Sequence, residues 1–144
     1  MATQQIAIYN ETTVQNPLNQ NNLLRLSGIV SNNEKRNFLE LEVVFVDDEK
    51  IKELNLRYLG HDYVTDIITF PYHEEKEPIE GTLFCCITQI QRQSQELKTT
   101  FETETLRVVV HGMLHLVGYN DATVEQRKQM RSLENKYIRL YQES

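Results

Sequence analysis

Residues 101–121 read F-E-T-E-T-L-R-V-V-V-H-G-M-L-H-L-V-G-Y-N-D, which predicts a long helix, Phe101–Gly118, followed by a turn. Apolar side chains recur along it at helical spacing. They are Leu106, Val109, Val110, Met113, Leu114 and Val117. Because the segment is apolar around most of its circumference, we expect it to be the buried, central helix of the fold.

Two histidines of this helix predict a metal site. His111 and His115 are four residues apart, so both rings leave the same helix face about one turn apart. Gly118 lets the chain turn away, and Asp121 can then return as a third ligand. Imidazole nitrogen and carboxylate oxygen suit one divalent ion, with Zn²⁺ the expected metal. The alternative is a helix with two unrelated histidines, one of them capping and the other in the core.

Three protein ligands leave a fourth position for water, which is the arrangement of a catalytic rather than a structural site. His111, His115 and Asp121 are therefore the candidate catalytic residues as well as the metal ligands. Gly112 stands where a zinc peptidase of the H-E-x-x-H type carries its general-base Glu, which argues against peptide hydrolysis. We also expect so small a residue to open space beside the metal for a bulkier or more anionic group.

The composition predicts one soluble domain, residues 1–144, with no membrane span. The N-terminus lacks the basic start and apolar run of a signal peptide, which indicates a cytoplasmic protein. Cys85 and Cys86 are adjacent on a predicted strand, so they point to opposite faces and are expected to be small buried residues, not a disulfide. The net charge of −6 leans away from general nucleic-acid binding, although a local basic patch can coexist with it.

Four strands and about five helices are predicted, an α+β (mixed α/β) fold with a small four-stranded mixed sheet. The strands are Ile6–Tyr9, Phe38–Val46, Thr65–Phe70 and Thr82–Ile87, and residues 73–80 are read as an exposed loop. Besides Phe101–Gly118, the helices are one opened by Pro17, one capped by Asp47 or Asp48 and ended by Gly60, one from Thr88 to about Lys98, and Thr123–Tyr141.

Two blocks of the sequence resemble the YbeY family of metal-dependent endoribonucleases and rRNA maturation factors. H-G-M-L-H-L-V-G-Y-N-D, from His111, is similar to that family's H-G-x-L-H-L-x-G-Y-D-H. L-N-L-R-Y-L-G-H-D-Y-V-T-D-I-I-T-F-P, from Leu54, is similar to its L-N-x-x-Y-R-G-x-D-x-P-T-D-V-L-S-F-P. The resemblance spans about residues 43–141 and implies a small α/β fold, a zinc-like metal on two His and a third ligand, and cleavage of single-stranded RNA in small-subunit rRNA maturation.

Four positions depart from the family pattern. Asp121 takes the place of the third His, Asn120 replaces an Asp, and Thr82 replaces the Asp of G-D-L. Leu59 stands where the family usually has an Arg thought to serve RNA cleavage or binding. Losing that Arg removes a bidentate clamp for a phosphate group. The candidate substrate-binding residues that can cover part of this role are Arg57, His61 and Arg107.

Three functions remain open at this point. The first is a metal-dependent endoribonuclease acting on ribosomal RNA, with the small ribosomal subunit as partner and a role in ribosome quality control. The second is a non-catalytic ribosome-assembly factor whose metal only fixes the turn from Gly118 to Asp121, an alternative that Leu59 favours. The third is a metallopeptidase, which Gly112 opposes. The sequence leaves the oligomeric state open.

Overall fold

The computed structural model describes residues 4–144. The first three residues, which belong to the N-terminus predicted to lack a signal peptide, lie outside this range. Four strands and five helices are formed in this range. In chain order they are β1 (Gln5–Asn10), α1 (Gln20–Glu34), β2 (Phe38–Val46), α2 (Asp48–Leu59), β3 (Ile67–Pro71), β4 (Ile79–Cys86), α3 (Ile87–Glu96), α4 (Phe101–Val117) and α5 (Val124–Glu143). The predicted α+β fold with a four-stranded mixed sheet is confirmed.

The sheet has the strand order β1-β2-β4-β3. β1 and β2 pair in parallel, as do β2 and β4, whereas β3 runs antiparallel to β4. β2 is therefore a central strand, as its apolar run predicts. β3 lies at one edge of the sheet and has a neighbour on one side only.

Alternation along the strands divides the apolar residues between two faces. Val43, Phe45 and Cys85 join the larger core, which includes residues of α1, α4 and α5. Val44 and Cys86 join a smaller core with residues of α2. The two cysteines are buried and free, and they lie in different cores, as expected for neighbours on a strand.

α4 is the central helix, and both of its ends are fixed. Thr100 caps the N-terminus by accepting a hydrogen bond from the Thr103 N–H. At the C-terminus, Arg36 donates to the Val117 carbonyl at 3.0 Å, and His73 lies 2.9 Å from the Leu116 carbonyl. These contacts satisfy carbonyls that have no partner within the helix. His73 is half-buried for this reason, not exposed on the loop as predicted.

Several predicted boundaries are wrong by a few residues. α1 begins at Gln20, not at Pro17, because Asn19 and Asn22 form a reciprocal capping box. β3 begins two residues later than predicted, and β4 begins three residues earlier because Ile79 already pairs with Phe38. α2, in contrast, begins after the predicted cap Asp47 and ends at Gly60 in the left-handed conformation. None of the described helices is long and apolar enough to cross a membrane.

Asp48, in the first turn of α2, joins this helix to α3. Its carboxylate accepts hydrogen bonds from Arg92 at 2.7 Å and from Thr88 at 2.6 Å. The Arg92 hydrogen bond lowers the pKa of Asp48 to about 2, against an opposing effect of partial burial. A lowered folded-state pKa gives stability that is present above the unfolded value and is lost as the pH falls through about 2.

We therefore expect Asp48→Asn to lower the stability at pH 6 by about 0.5–1 kcal/mol, the range of an exposed ion pair. The deficit should shrink as the pH falls from 4 to 2, because the unfolded wild-type chain protonates this carboxylate near its ordinary pKa and the folded protein does so only at about pH 2. Thermal melts of both proteins across this interval measure the difference. A deficit of equal size at pH 2 and pH 6 would show that the charge of Asp48 does not matter.

Candidate metal centre

His111, His115 and Asp121 converge on one point, as their spacing predicts. The two Nε2 atoms are 3.0 Å apart, and each lies 3.3 Å from Asp121 Oδ2. The turn that returns Asp121 begins at Gly118, whose φ of +124° is in a region that L side chains rarely adopt. Both histidine side chains are about one quarter exposed, so the three atoms are accessible from outside the core.

Hydrogen bonds on the far side of each ring fix which nitrogen faces this point. His111 Nδ1 lies 2.7 Å from a carboxylate oxygen of Glu134, and His115 Nδ1 lies 3.0 Å from the carbonyl oxygen of Tyr119. Both partners can only accept, so each Nδ1 carries the proton and each neutral ring points its Nε2 lone pair inward. Two lone pairs and a carboxylate oxygen at this separation repel one another unless a cation lies between them.

The separations fit a divalent metal. With zinc–nitrogen and zinc–oxygen bonds of about 2.0–2.2 Å, tetrahedral geometry places ligand atoms about 3.3 Å apart. The observed distances of 3.0, 3.3 and 3.3 Å match that requirement without movement of the backbone. These three residues can therefore hold one metal ion.

Glu134 on α5 is the residue of this site that the sequence analysis missed. Its side chain is only 7% exposed, and its second oxygen accepts a hydrogen bond from Arg107 at 3.2 Å. Arg131 lies 3.8 Å from the same oxygen. The available signal was an acidic residue on the apolar face of α5, at helical spacing from Met130, Tyr137 and Ile138. A buried acid is paired far more often than not, and here its partners are a candidate ligand and an arginine.

A second carboxylate holds the turn on the His115 side. Glu34, the last residue of α1, accepts hydrogen bonds from the hydroxyls of Tyr119 at 2.7 Å and of Tyr137. The hydrogen bond to Glu34, with burial, raises the pKa of Tyr119 to about 12. Burial, with the same carboxylate, also raises the pKa of Tyr137. The carbonyl that orients His115 therefore belongs to a residue anchored to α1.

The electrostatics of His111 reflect the same neighbours. Burial of its ring lowers the pKa of His111, but the Glu134 and Asp121 carboxylates raise it by more, so the net shift is upward. The two carboxylates thus favour positive charge at this position, which indicates a negative local potential. Such a potential also favours a bound metal cation.

An open cavity of about 510 Å³ is lined by the three convergent residues. Residues of β3 and the segment before it also line this cavity, together with Leu59 at the end of α2. Within the described residues 4–144, the lining contains no Lys or Arg, and its further charged residue is Asp66. Leu59 thus presents an apolar side chain to the cavity where the family pattern has an Arg.

The candidate substrate-binding residues lie elsewhere. Arg107 lines a smaller adjoining cavity of about 190 Å³, where its guanidinium pairs with Glu134. His61 is exposed and stacks on Tyr63, with ring centroids 5.2 Å apart. Arg57 lies over the ring of Tyr58 at 5.7 Å. None of these three residues is part of the lining of the larger cavity, and their contact with substrate stays a prediction.

Gly112 does not open space beside the metal, and that expectation is wrong. It faces the sheet, where an added Cβ would lie 2.6 Å from Ile67 Cδ1 and 2.8 Å from Leu83 Cδ2. Real Cβ atoms essentially never approach so closely, so the glycine allows α4 to pack tightly against β3 and β4. The close packing also brings the histidines of α4 next to the edge of the sheet.

Comparison with known proteins decides the family. The family model described as "Endoribonuclease YbeY" matches residues 5–142. The chain belongs to the YbeY family. This confirms the resemblance of the two sequence blocks and extends it to β1 and the end of α5.

Curated relatives and a solved structure agree with this assignment. "Endoribonuclease YbeY" of Cytophaga hutchinsonii is 40% identical over 77% of this chain and 78% of its own length. The protein of the same name from Chlorobium phaeovibrioides is 34% identical over 89% of this chain and 86% of its own. The solution structure of TM1509 from Thermotoga maritima superposes with a TM-score of 0.65 at 31% identity, covering 95% of this chain and 89% of that one.

The position of Glu134 leads to a prediction about metal affinity. Glu134→Gln keeps the shape of the side chain but replaces the charged acceptor of the His111 proton with a neutral amide. We expect zinc affinity, measured by competition with a chromophoric chelator, to fall 10–100-fold, the usual effect of changing such an outer partner. Glu125→Gln, an exposed acid on the same helix, is the matched control. Equal affinities of the two variants would contradict the role assigned to Glu134.

Proposed function

We propose that this chain is a single metal-dependent hydrolase domain, residues 1–144, that cleaves single-stranded RNA as an endoribonuclease. His111, His115 and Asp121 are proposed as the ligands of one Zn²⁺ ion and hence as the catalytic residues. The observation that carries the proposal is the convergence of two Nε2 lone pairs and a carboxylate oxygen on the wall of an open cavity, in a chain of the YbeY family.

The chain's own residues prepare this centre. Glu134 and the Tyr119 carbonyl accept the protons on the two Nδ1 atoms, so that both Nε2 lone pairs face the proposed metal position. Arg107 neutralises and orients Glu134. When bound, the metal would lower the pKa of a water molecule toward ~7 and polarise a phosphoryl oxygen, which is the chemistry that phosphodiester hydrolysis requires.

Ribosomal RNA is the proposed substrate, with the small ribosomal subunit as partner, in rRNA maturation and ribosome quality control in the cytoplasm. The supporting observations are the family assignment and the charge of the protein. With a net charge of −6 and no Lys or Arg among the described residues of the cavity lining, binding of free RNA should be weak. A subunit or partner that presents the strand would supply the missing affinity.

The non-catalytic alternative, a metal-stabilised assembly factor, is favoured by one observation. The cavity has Leu59 in place of an Arg, and Arg107 is engaged by Glu134, so a cationic clamp for the reacting phosphate is missing from the described lining. Metallopeptidase activity has less support, because Gly112 supplies no general base. A Glu at this position would collide with Ile67 and Leu83.

The test compares cleavage of free single-stranded RNA and of immature small subunits by zinc-loaded protein, with and without chelator. We expect weak cleavage of free RNA, faster cleavage on the subunit, and loss of both with chelator. His111→Ala serves as the control for contaminating nuclease. Equal cleavage by wild type and His111→Ala, or no cleavage in either context, would contradict the endoribonuclease proposal and favour the non-catalytic assembly factor. Turnover of an unstructured peptide would instead favour the peptidase.

A further inference from the structure

The edge strand β3 has a definite set of backbone groups that face away from the sheet. Its antiparallel register pairs Ile67 with Cys85, Ile68 with Phe84 and Thr69 with Leu83. Hydrogen bonds from the Cys86 N–H to the Asp66 carbonyl and from the Tyr72 N–H to the Glu80 carbonyl mark the bonded pairs at both ends. Because bonded and non-bonded pairs alternate along an antiparallel ladder, residues 66, 68, 70 and 72 bond to β4.

The intervening residues present their backbone groups outward. Ile67 and Thr69 each point an N–H and a C=O away from β4, and Pro71 points only a C=O. No other segment within residues 4–144 bonds to the outward N–H groups of Ile67 and Thr69. Pro71 is the third outward residue, and it lacks only an N–H group that would not bond to β4. Proline is accommodated on edge strands at such positions.

This edge belongs to the cavity that holds the candidate metal ligands. Residues 65–69 and Pro71 line the cavity together with His111, His115 and Asp121. A chain molecule bound in this cavity can therefore contact both the candidate ligands and the outward groups of β3. The groups are about 6.7 Å apart along the strand, the rise of two residues, and so form a repeating row of donors and acceptors.

The chemistry of this row suits an RNA backbone. Phosphate oxygens accept hydrogen bonds from N–H groups, and the ribose 2′-hydroxyl can donate to a carbonyl, which deoxyribose cannot do. The hydroxyls of Thr65 and Thr69, both residues of the lining, add further neutral partners. In a cavity whose described lining has no Lys or Arg, these neutral groups are the available partners for a strand beside the metal.

We propose that the outward edge of β3 is the docking site for the sugar–phosphate backbone of single-stranded RNA, with the Ile67 and Thr69 N–H groups on phosphate and their carbonyls on 2′-hydroxyls. The proposal rests on the function proposed above and adds how the substrate is held and why RNA is preferred over DNA. A peptide could pair with the same edge as an added strand. RNA is favoured because the family model describes an endoribonuclease.

Thr69→Pro is the decisive variant, since it removes one outward N–H while every hydrogen bond to β4 remains, as at Pro71. Thr69→Val keeps the N–H and the β-branched shape and removes only the hydroxyl. Binding is read from the fluorescence anisotropy of a labelled single-stranded RNA and of a DNA strand of the same sequence. Chelator is present so that neither strand is cut, and this readout therefore stands even if the enzyme proposal fails. The KM of zinc-loaded protein is the second readout.

We expect Thr69→Pro to weaken RNA binding about tenfold and to raise KM about tenfold, because it loses one hydrogen bond to a charged group. Its zinc affinity should stay at the wild-type value. Thr69→Val should lose at most about threefold. Wild type should bind RNA at least fivefold more tightly than DNA, with little dependence on salt because few charges are paired.

Unchanged RNA binding by a folded Thr69→Pro protein would overturn the proposal, as would equal binding of RNA and DNA by wild type. If Thr69→Pro does not fold, the comparison of RNA with DNA on wild type decides. Displacement of the RNA by an uncharged extended hexapeptide at micromolar concentration would reassign the edge to peptides.

Discussion

Zinc should be lost from His115→Ala, and with it any RNA cleavage. His115 Nε2 lies 3.0 Å from His111 Nε2 and 3.3 Å from Asp121 Oδ2, so its removal leaves two of three protein ligands. We expect the affinity to fall by more than ~100-fold, beyond the 10–100-fold range of changes to outer partners. Elemental analysis after dialysis should find about one zinc per wild-type chain and essentially none per variant chain.

The same variant should keep its fold, because alanine is the best helix former and the His115 side chain is partly exposed. Thermal melts separate the two effects. Free zinc at 100 times its dissociation constant should stabilise the wild type by about 2.7 kcal/mol and the variant not at all. His61→Ala, in the exposed loop after α2, is the matched control for metal binding and should match the wild type in zinc content and in zinc-dependent stabilisation. Stoichiometric zinc in His115→Ala would remove this residue from the ligand set.

Gly112→Glu should unfold the protein rather than make it a peptidase, although it completes the sequence H-E-x-x-H. The new Cβ would lie within 3 Å of Ile67 Cδ1 and both Cδ atoms of Leu83. A carboxylate buried among these apolar groups costs several kcal/mol more, and total stabilities are typically only 5–15 kcal/mol. The expected results are loss of the cooperative melt and no hydrolysis of peptide substrates.

Two alanine variants make this prediction quantitative. Gly112→Ala adds only the Cβ and should destabilise by about 1–3 kcal/mol, less a helix-propensity gain of up to ~1 kcal/mol. Gly28→Ala, in the middle of α1 with nothing within 4 Å of the added atom, should stabilise by about 0.5–1 kcal/mol. If the two alanine substitutions change the free energy of unfolding by the same amount, close packing is not the reason that glycine is needed at position 112.

Local sequence was sufficient to predict that the candidate ligands converge, because the geometry of one helical turn and one glycine turn brings their atoms together. His111, His115 and Asp121 span only eleven residues, and no long-range contact is needed to bring them close. The cap at Asp47 and the turn at Gly60 were predictable for the same reason. Element types also followed from local periodicity.

The missed features depend on contacts between distant segments. Glu134 reaches His111 across 23 residues, and Glu34 reaches Tyr119 across 85, so neither pairing leaves a local pattern. The role of Gly112 is likewise absent from the motif, because the H-x-x-x-H pattern describes the histidine face of α4, whereas the neighbours that require glycine are Ile67 and Leu83 on the sheet. The pairing of Arg107 with Glu134 spans 27 residues and leaves no local pattern either.

The location of Glu134 on the last helix has a consequence for biosynthesis. The ribosome makes proteins from the N-terminus, so all three candidate ligands are synthesised at least thirteen residues before the acceptor that orients His111. A nascent chain that ends between Asp121 and Glu134 carries the complete ligand set but lacks that acceptor. Metal affinity should therefore rise in two stages during synthesis, and the second stage should coincide with the docking of α5 onto α4.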